Sequence, residues 1–511
     1  MRRICRVLFS RYAISAIMIL AEVALIGLLI FSMPKSVYVL IAVWIAVSLV
    51  ALVHLINRDT NPEYKIPWAV VILVVPCFGA LLYVLFYKRV LSRREARLLS
   101  GAITGLSSGG VNRETIETLY EDSPLAAGKA WAIINDDPLA DVYRSSSGEL
   151  FDSGEEYFSR LISDIESAKK YVFLEYFIID EGELWTKIHS LLKEKARAGV
   201  EVRLLYDDIG CMKTLPAHYE KQLRREGIKA YRFARVNPRV SSVHHNRDHR
   251  KICVIDGAAA YTGGVNIADE YVGIKERFGH WKDGGIRIAG LAVAGLLKLF
   301  LSSWDFTSGT VSDYSTLLSS VTPENNTDGG YYIPFGSGPA PIYSRPVGKN
   351  VFLNIINQAE RYVYITTPYL IIDYDLTEAL RNAAKRGVDV KIITPGIADK
   401  KGVKVMTKSS YPYLLEAGVG IFEYSPGFIH EKTLVSDDLY AVVGTINLDF
   451  RSLVHHFENA VWMYRTDAVT AARDSFLKTL ESSLEMDKSG ARLTLLEWLY
   501  RNGIRLFAPL L

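Results

Sequence analysis

Cysteine is scarce in this chain: four in 511 residues, at Cys5, Cys77, Cys211 and Cys253. No C-x-x-C pair occurs among them, so neither a disulfide framework nor a thiolate metal centre is indicated. Histidine numbers only ten, and none shows metal-ligand spacing. The vicinal pairs His244-His245 and His455-His456 would point opposite ways in a strand, and they read as polar neighbours of a site rather than as ligands. An excess of one charge is also lacking. Lys and Arg total 59 against 56 Asp and Glu, for a net charge of +3, too mild to argue for nucleic-acid binding. What the chain has in excess is apolar surface: 49% hydrophobic residues and a mean hydropathy of +0.12 beside 23% charged residues.

That excess sits at the N-terminus. Three apolar stretches, residues 12–33, 37–56 and 67–87, are each long enough to cross a bilayer as a helix. The first has no small-residue cleavage site and is followed by further apolar stretches, so it reads as an anchor and not a signal peptide. Glu22 within it reads as a hydrogen-bonding residue in a helix contact. Pro76 and Gly79 suggest a kink in the third stretch, and Trp68, Tyr83 and Tyr87 stand near its ends as interfacial anchors do. Arg2, Arg3, Arg6 and Arg11 precede the first stretch; Lys88, Arg89, Arg93, Arg94 and Arg97 follow the third. Both clusters ask for the cytoplasmic side, which three full spans cannot satisfy together, so two to three helices form the anchor over residues 1–100. The stronger flank places the remainder of the chain inside the cell.

From residue 125 the pattern changes to alternating apolar strands and amphipathic helices. Val172-Phe173-Leu174 reads as a strand, residues 184–198 as a helix and residues 200–206 as a strand. The same order returns at Val363-Tyr364-Ile365, residues 376–386 and residues 388–393. Two α/β sandwich halves follow, 125–306 and 331–487, joined by a Ser-, Thr-, Asn- and Gly-rich linker at 307–330. The tail, 488–511, mixes Leu493, Leu495, Leu496, Trp498 and Leu499 with Arg492, Arg501 and Arg505. It reads equally as an interfacial helix or as one packed on the domain.

Each half carries one copy of H-x-K-x4-D, all three residues of which read as catalytic: His249, Lys251 and Asp256 in the first, His430, Lys432 and Asp437 in the second. After six further residues come Gly263-Gly264-Val265-Asn266 and Gly444-Thr445-Ile446-Asn447. One such string arises by accident; two with shared spacing mark a duplicated half-site. His and Lys at i and i+2 of a strand share a face, so the pair of halves offers two imidazoles and two ammonium groups. Asn266 and Asn447 follow a Gly turn and add amide donors. Such a cluster suits a phosphodiester: cations and amides take the non-bridging oxygens while one His attacks phosphorus and the other protonates the leaving alkoxide. Two like groups in one site need environments that separate their pKa values.

Through these and neighbouring strings the sequence resembles the phospholipase D superfamily and, within it, the bacterial cardiolipin synthases. Carrying the resemblance are Leu205-Tyr206-Asp207-Asp208-Ile209-Gly210, Asn246-Arg247-Asp248-His249-Arg250-Lys251, Thr367-Pro368-Tyr369, Gly427-Phe428-Ile429-His430-Glu431-Lys432-Thr433 and Asn447-Leu448-Asp449-Phe450-Arg451-Ser452. The resemblance implies two pseudo-symmetric phospholipase D-type halves behind transmembrane helices in the cell membrane. It implies His249 as nucleophile, His430 as general acid, and carboxylates at Asp283 and Glu458 behind the imidazoles. The implied reaction joins two phosphatidylglycerols into cardiolipin and glycerol, with no metal and no cofactor. A hydrolytic phospholipase D, another phosphatidyltransferase such as a phosphatidylserine synthase, and an inactive lipid-binding scaffold are the alternatives. Lys282 stands where this family commonly has Arg, which puts a bidentate contact there in doubt.

Overall fold

Runs such as Tyr171-Val172-Phe173-Leu174 and Tyr362-Val363-Tyr364-Ile365 combine β-branched and aromatic residues without polar alternation, the pattern of strands covered on both faces. They form the centres of two sheets in the computed structural model, which describes residues 35–74, 78–86, 93–107, 111–234, 246–325, 327–340, 342–487 and 494–505. The chain divides into two units, residues 1–88 and 89–509.

In the first unit the helices Lys35–Ile56, Pro62–Val74 and Phe78–Phe86 pack around Ala51, Leu55, Ile72, Ala80 and Tyr83. Most of their apolar surface faces outward, with Val50 71% and Val74 72% exposed. Of the expected third span, the described residues lie in the helices Pro62–Val74 and Phe78–Phe86, and residues 75–77, with the expected kink at Pro76, lie outside the described residues. Residues 12–33 lie outside the described residues. Among the described residues no helix is long and apolar enough to cross a membrane.

The second unit holds the repeat. Its first half supplies β1 (Ser146–Phe151), β2 (Tyr171–Tyr176), β3 (Glu201–Asp207), β4 (Lys229–Phe233), β5 (Lys251–Ile255), β6 (Ala259–Gly263), β7 (His280–Lys282) and β8 (Gly285–Gly290). The second half supplies β9 (Tyr331–Ser337), β10 (Tyr362–Thr366), β11 (Leu370–Ile371), β12 (Asp389–Pro395), β13 (Gly420–Tyr424), β14 (Gly427–Ile429), β15 (Thr433–Ser436), β16 (Tyr440–Gly444), β17 (Leu448–Asp449), β18 (Glu458–Tyr464) and β19 (Ser483–Glu485). One sheet runs β1-β8-β6-β5-β2-β3-β4 and the other β9-β18-β16-β15-β10-β12-β13-β19, the same order with one strand added. In both, the motif strand (β5 or β15) lies antiparallel to the central strand (β2 or β10), and the next two strands continue in parallel. The parallel connections are made by amphipathic helices, Glu183–Arg197 and Tyr374–Lys385, which bury Leu184, Trp185, Ile188 and Leu192, and Leu376, Ala379, Leu380 and Ala383. Asp373 caps the second of these by accepting the Leu376 N–H at 3.1 Å.

The layer between the sheets is shared. Phe173, Val254, Ile288, Leu297 and Phe300 of the first half form one core cluster with Ile393, Val435, Val443, Val461 and Phe476 of the second. Two boundaries differ from the sequence reading. The helix Pro124–Asp136, counted there with the first half, buries Ala126, Ala127, Ala130 and Ile133 in the core of the second half, against Ile333 and Val351. The stretch read as a linker begins inside the helix Val293–Ser308 and contains another, Tyr314–Ser319, anchored by buried Leu317. Its polar composition reflects the exposed face of these helices.

Candidate active site

Each motif is presented by the other half. Before β5, the N–H of His249 donates to the Phe457 carbonyl at 2.9 Å, and the N–H of Phe457 to the Arg247 carbonyl at 2.8 Å. Across the pseudo-twofold, β14 pairs in parallel with β7, and the N–H of His430 donates to the Lys282 carbonyl at 2.8 Å. The residue after each of those carbonyls is a carboxylate, and it meets the imidazole just presented. Nδ1 of His249 lies 2.9 Å from Oε2 of Glu458; Nδ1 of His430 lies 2.7 Å from Oδ2 of Asp283. The halves therefore exchange supporting carboxylates. Asp207, at the end of β3, holds the approach to His249 by accepting Arg247 Nε at 3.0 Å, Arg247 Nη2 at 2.6 Å and the Asp248 N–H at 3.1 Å.

The two carboxylates differ in ways that separate the two imidazoles. Glu458 accepts the Ser452 hydroxyl at 2.6 Å and the Thr445 hydroxyl as well as His249. Although burial opposes ionisation, His249 and then His456 hold its carboxyl well below the usual range. At the position of Thr445 the first half has Gly264, where any Cβ would lie 2.1 Å from Asp283 Oδ1, so no hydroxyl can stand there. Asp283 accepts the Gly284 N–H at 2.8 Å, and burial pushes its carboxyl up to about 6. Burial takes His249 down to about 3, countered by Glu458. Burial, then Lys432 and Lys251, take His430 well below its ordinary value. An ionised Glu458 fixes the hydrogen on Nδ1 of His249 and leaves Nε2 its lone pair.

Lys251 and Lys432 are buried under the imidazoles, each donating to the carbonyl of its own His, Lys251 at 2.7 Å. Burial lowers them to about 7 and about 8, opposed by Glu458 and Asp283. His249, His430, Asn266 and Asn447 line a cleft of about 570 Å³ whose walls include Ile178, Phe278, Trp281, Val403, Phe428 and Ile504. Phe177 meets the His249 ring edge-on at 4.9 Å. The two Asn are not equivalent. Asn266 accepts the Ile178 N–H at 3.0 Å and donates to Tyr271 at 2.7 Å, whereas Oδ1 of Asn447 is buried without a partner.

The motif Asp residues are not brought to this cleft. Asp256 and Asp437 sit at the far ends of their strands, about 20 Å away by strand rise. Both have left-handed φ, 54° and 60°. Asp256 accepts the N–H groups of Lys169, Lys170 and Tyr171 at 2.6–2.7 Å, and Asp437 those of Glu360, Arg361 and Tyr362 at 2.9 Å. They tie the hairpin turn to the start of the central strand. Reading them as catalytic is corrected by this placement. Lys282 also turns away, donating to the Asp152 carbonyl at 2.7 Å.

The sequence profile described as "Cardiolipin synthase, PLD-like domain" matches residues 161–276 and 352–480, and "Phospholipase_D-nuclease N-terminal" matches 46–86. A cardiolipin synthase of Halalkalibacterium halodurans is 32% identical over 89% of this chain and 90% of its own length. The chain belongs to the cardiolipin synthase family. A Geobacillus cardiolipin synthase is 33% identical over 88% of this chain and 89% of its own length. The fold is also that of phosphatidylserine synthase from Haemophilus influenzae, at a TM-score of 0.55 and 15% identity, over 71% of this chain and 94% of that one.

Sequence reasoning passed over several groups that shape this family's cleft here. Thr445 and Ser452 stood in quoted strings without a role, and a hydroxyl has no motif spacing to betray it. His456, read only as a polar neighbour, lines the cleft with its ring 5.6 Å from that of His249. His249, His456 and Glu458 together bring three donor atoms within 4.8 Å of one another, a set able to hold a divalent ion. His244 and His245 lie outside the described residues.

Proposed function

We propose that this protein transfers a phosphatidyl group between two phosphatidylglycerol molecules, giving cardiolipin and glycerol. The observation that carries the reading is the pair of imidazoles, one from each half and each backed by the other half's carboxylate, on one apolar-walled cleft. Nε2 of His249 attacks phosphorus, and the bond from phosphorus to the headgroup glycerol oxygen breaks. His430 supplies the proton that leaves with glycerol, taken up as the phosphodiester's charge offsets Lys251 and Lys432. A primary hydroxyl of a second phosphatidylglycerol then gives its proton to His430 and attacks phosphorus, and the phosphorus–nitrogen bond breaks. The ammonium groups of Lys251 and Lys432, with Asn447, stabilise the charge that builds on the non-bridging oxygens. One phosphodiester is exchanged for another and the Lys pair supplies the positive charge, so the scheme needs no nucleotide and no metal.

The first unit serves as the membrane anchor, supported by the outward-facing apolar surface of its helices and by the basic residues that follow them in sequence. Those residues favour a cytoplasmic catalytic unit. Water at about 55 M would win over a lipid hydroxyl unless the acceptor is held in attack geometry, worth effective molarities of about 10⁵ M or more. Apolar walls and a bilayer location supply that advantage.

Lipid mass spectrometry of a cardiolipin-deficient host expressing the chain, and early product ratios in phosphatidylglycerol vesicles, test the proposal. Cardiolipin and glycerol in equal amounts are expected, and none from His249→Ala or His430→Ala. Phosphatidate as the main early product would make the protein a hydrolase and end the synthase reading.

A further inference from the structure

The helix Leu495–Arg505 is inside out. It opens with a capping box in which Thr494 and Glu497 satisfy each other's N–H groups at 3.3 and 2.8 Å, so its first turn is locally fixed. At 100° per residue, Glu497, Arg501 and Ile504 share one face, and these are its part-buried positions. That face packs on the helix Lys401–Lys408, where Gly402 admits the Tyr500 hydroxyl: a Cβ there would lie 2.3 Å from it. Leu495 and Leu499 fall about half a turn away and Leu496 about a third of a turn, and they are 73%, 54% and 78% exposed. A surface helix of a water-soluble domain turns its charges out and its leucines in; this one does the reverse.

We infer that the outer face of this helix lies in the headgroup layer of an anionic phospholipid bilayer, setting the mouth of the cleft on the lipid surface. Position supports that occupant: Tyr500 and Ile504 of the same helix line the same cleft as His249 and His430, so a helix whose leucines face outward stands at the cleft's edge. Charge supports it too. Lys400 and Lys401, at the start of the helix on which the leucine helix packs, and Arg505, in the leucine helix's own last turn, are exposed, Lys400 by 70%. Glu497, the acid of this helix, is turned inward, and Thr494, followed by Lys408, holds its carboxyl below the usual range. Exposed leucines together with exposed cations at the helix end and on the neighbouring helix are the pattern of an interfacial helix on anionic lipid. The choice of lipid rests on the phosphatidyl-transfer reading above.

The test uses the full-length protein in phosphatidylglycerol nanodiscs, with Cys5 and Cys77 replaced by Ser and an environment-sensitive fluorophore on Leu496→Cys or, as control, on Glu194→Cys. The label at 496 is expected to shift to the blue and be quenched by spin-labelled lipid, the label at 194 to do neither. Equal quenching at both positions overturns the inference, as does a shift at 496 that persists in detergent and follows protein concentration, the mark of a second copy. This readout needs no turnover, so immersion without cardiolipin formation would sink the functional reading alone. A second variant, Leu495→Glu/Leu496→Glu/Leu499→Glu, should lose about tenfold or more on bilayer phosphatidylglycerol while a short-chain analogue dispersed in water is turned over as before. Equal loss on both substrates would mean that the face is structural.

Discussion

The exchange of carboxylates between halves predicts that Glu458→Gln and Asp283→Asn fail at different chemical steps. Glu458 is fully buried and bonded to His249, Ser452 and Thr445, so Gln fits the same space without the charge. Its amide can donate to Nδ1 of His249, moving the ring hydrogen to Nε2 and occupying the attacking lone pair. Loss of a charge-assisted bond costs about 1.5–3 kcal/mol, and the wrong tautomer of a catalytic His can cost as much as about 10⁴ in rate. The expected fall in kcat is therefore about 10²- to 10⁴-fold, whatever the leaving group, because attack itself is lost. Asp283→Asn instead weakens the proton supply through His430, a fall of about 10²-fold with phosphatidylglycerol. A p-nitrophenyl phosphodiester, whose leaving group needs no proton, should restore most of that loss. Stopped-flow detection of p-nitrophenolate, with acid-labile phosphohistidine trapped in parallel, reads both steps. Rescue of Glu458→Gln in place of Asp283→Asn would reverse the roles given to His249 and His430, and rescue of neither would refute the division of labour.

Asp437→Ala should lower stability by about 2–4 kcal/mol, since three backbone N–H groups lose their acceptor; thermal melts should show the loss while the folded fraction keeps kcat within a few-fold. A comparable loss of kcat in fully folded protein would return Asp437 to the catalytic list. Lys251 and Lys432, lowered to about 7 and about 8, are charged below those values and lose charge as pH rises through them. Hence kcat/KM should decline from about pH 7, where Lys251 loses its charge, and Lys251→Arg, charged throughout, should move that onset up toward about 8, where Lys432 follows; an unchanged profile would remove Lys251 from the charge-stabilising role. Exhaustive chelation in detergent micelles should leave turnover within about twofold, since the Lys pair supplies the charge a metal supplies elsewhere. Complete loss, restored by one metal, would assign the ion to His249, His456 and Glu458.

The duplicated strand order was legible because each half repeats the same apolar runs and helix periods, which act over short stretches of chain. The two imidazoles and their lysines were legible through spacing alone. The crosswise pairing was not, because Asp283 and Glu458 stand at matching places after their motifs and nothing local says which His each will meet. Asp256 and Asp437 share a motif with the reactive groups yet serve the turn; a strand carries its two ends far apart, and spacing cannot tell which end holds the chemistry. The helix Pro124–Asp136 was assigned by order in the chain, whereas its alanine face fits the neighbouring half's core.

The crossed carboxylates also bear on synthesis of the chain. A nascent chain emerging from the ribosome exposes His249 and Lys251 about two hundred residues before Glu458 exists, with only the unspaced counterpart of the second half still to come. Until β18 closes beside β16, that imidazole has no acceptor for its Nδ1–H and no partner acid. The reactive centre is thus withheld from half-made protein, and a truncated product keeping the whole first half would be unable to cleave a phosphodiester.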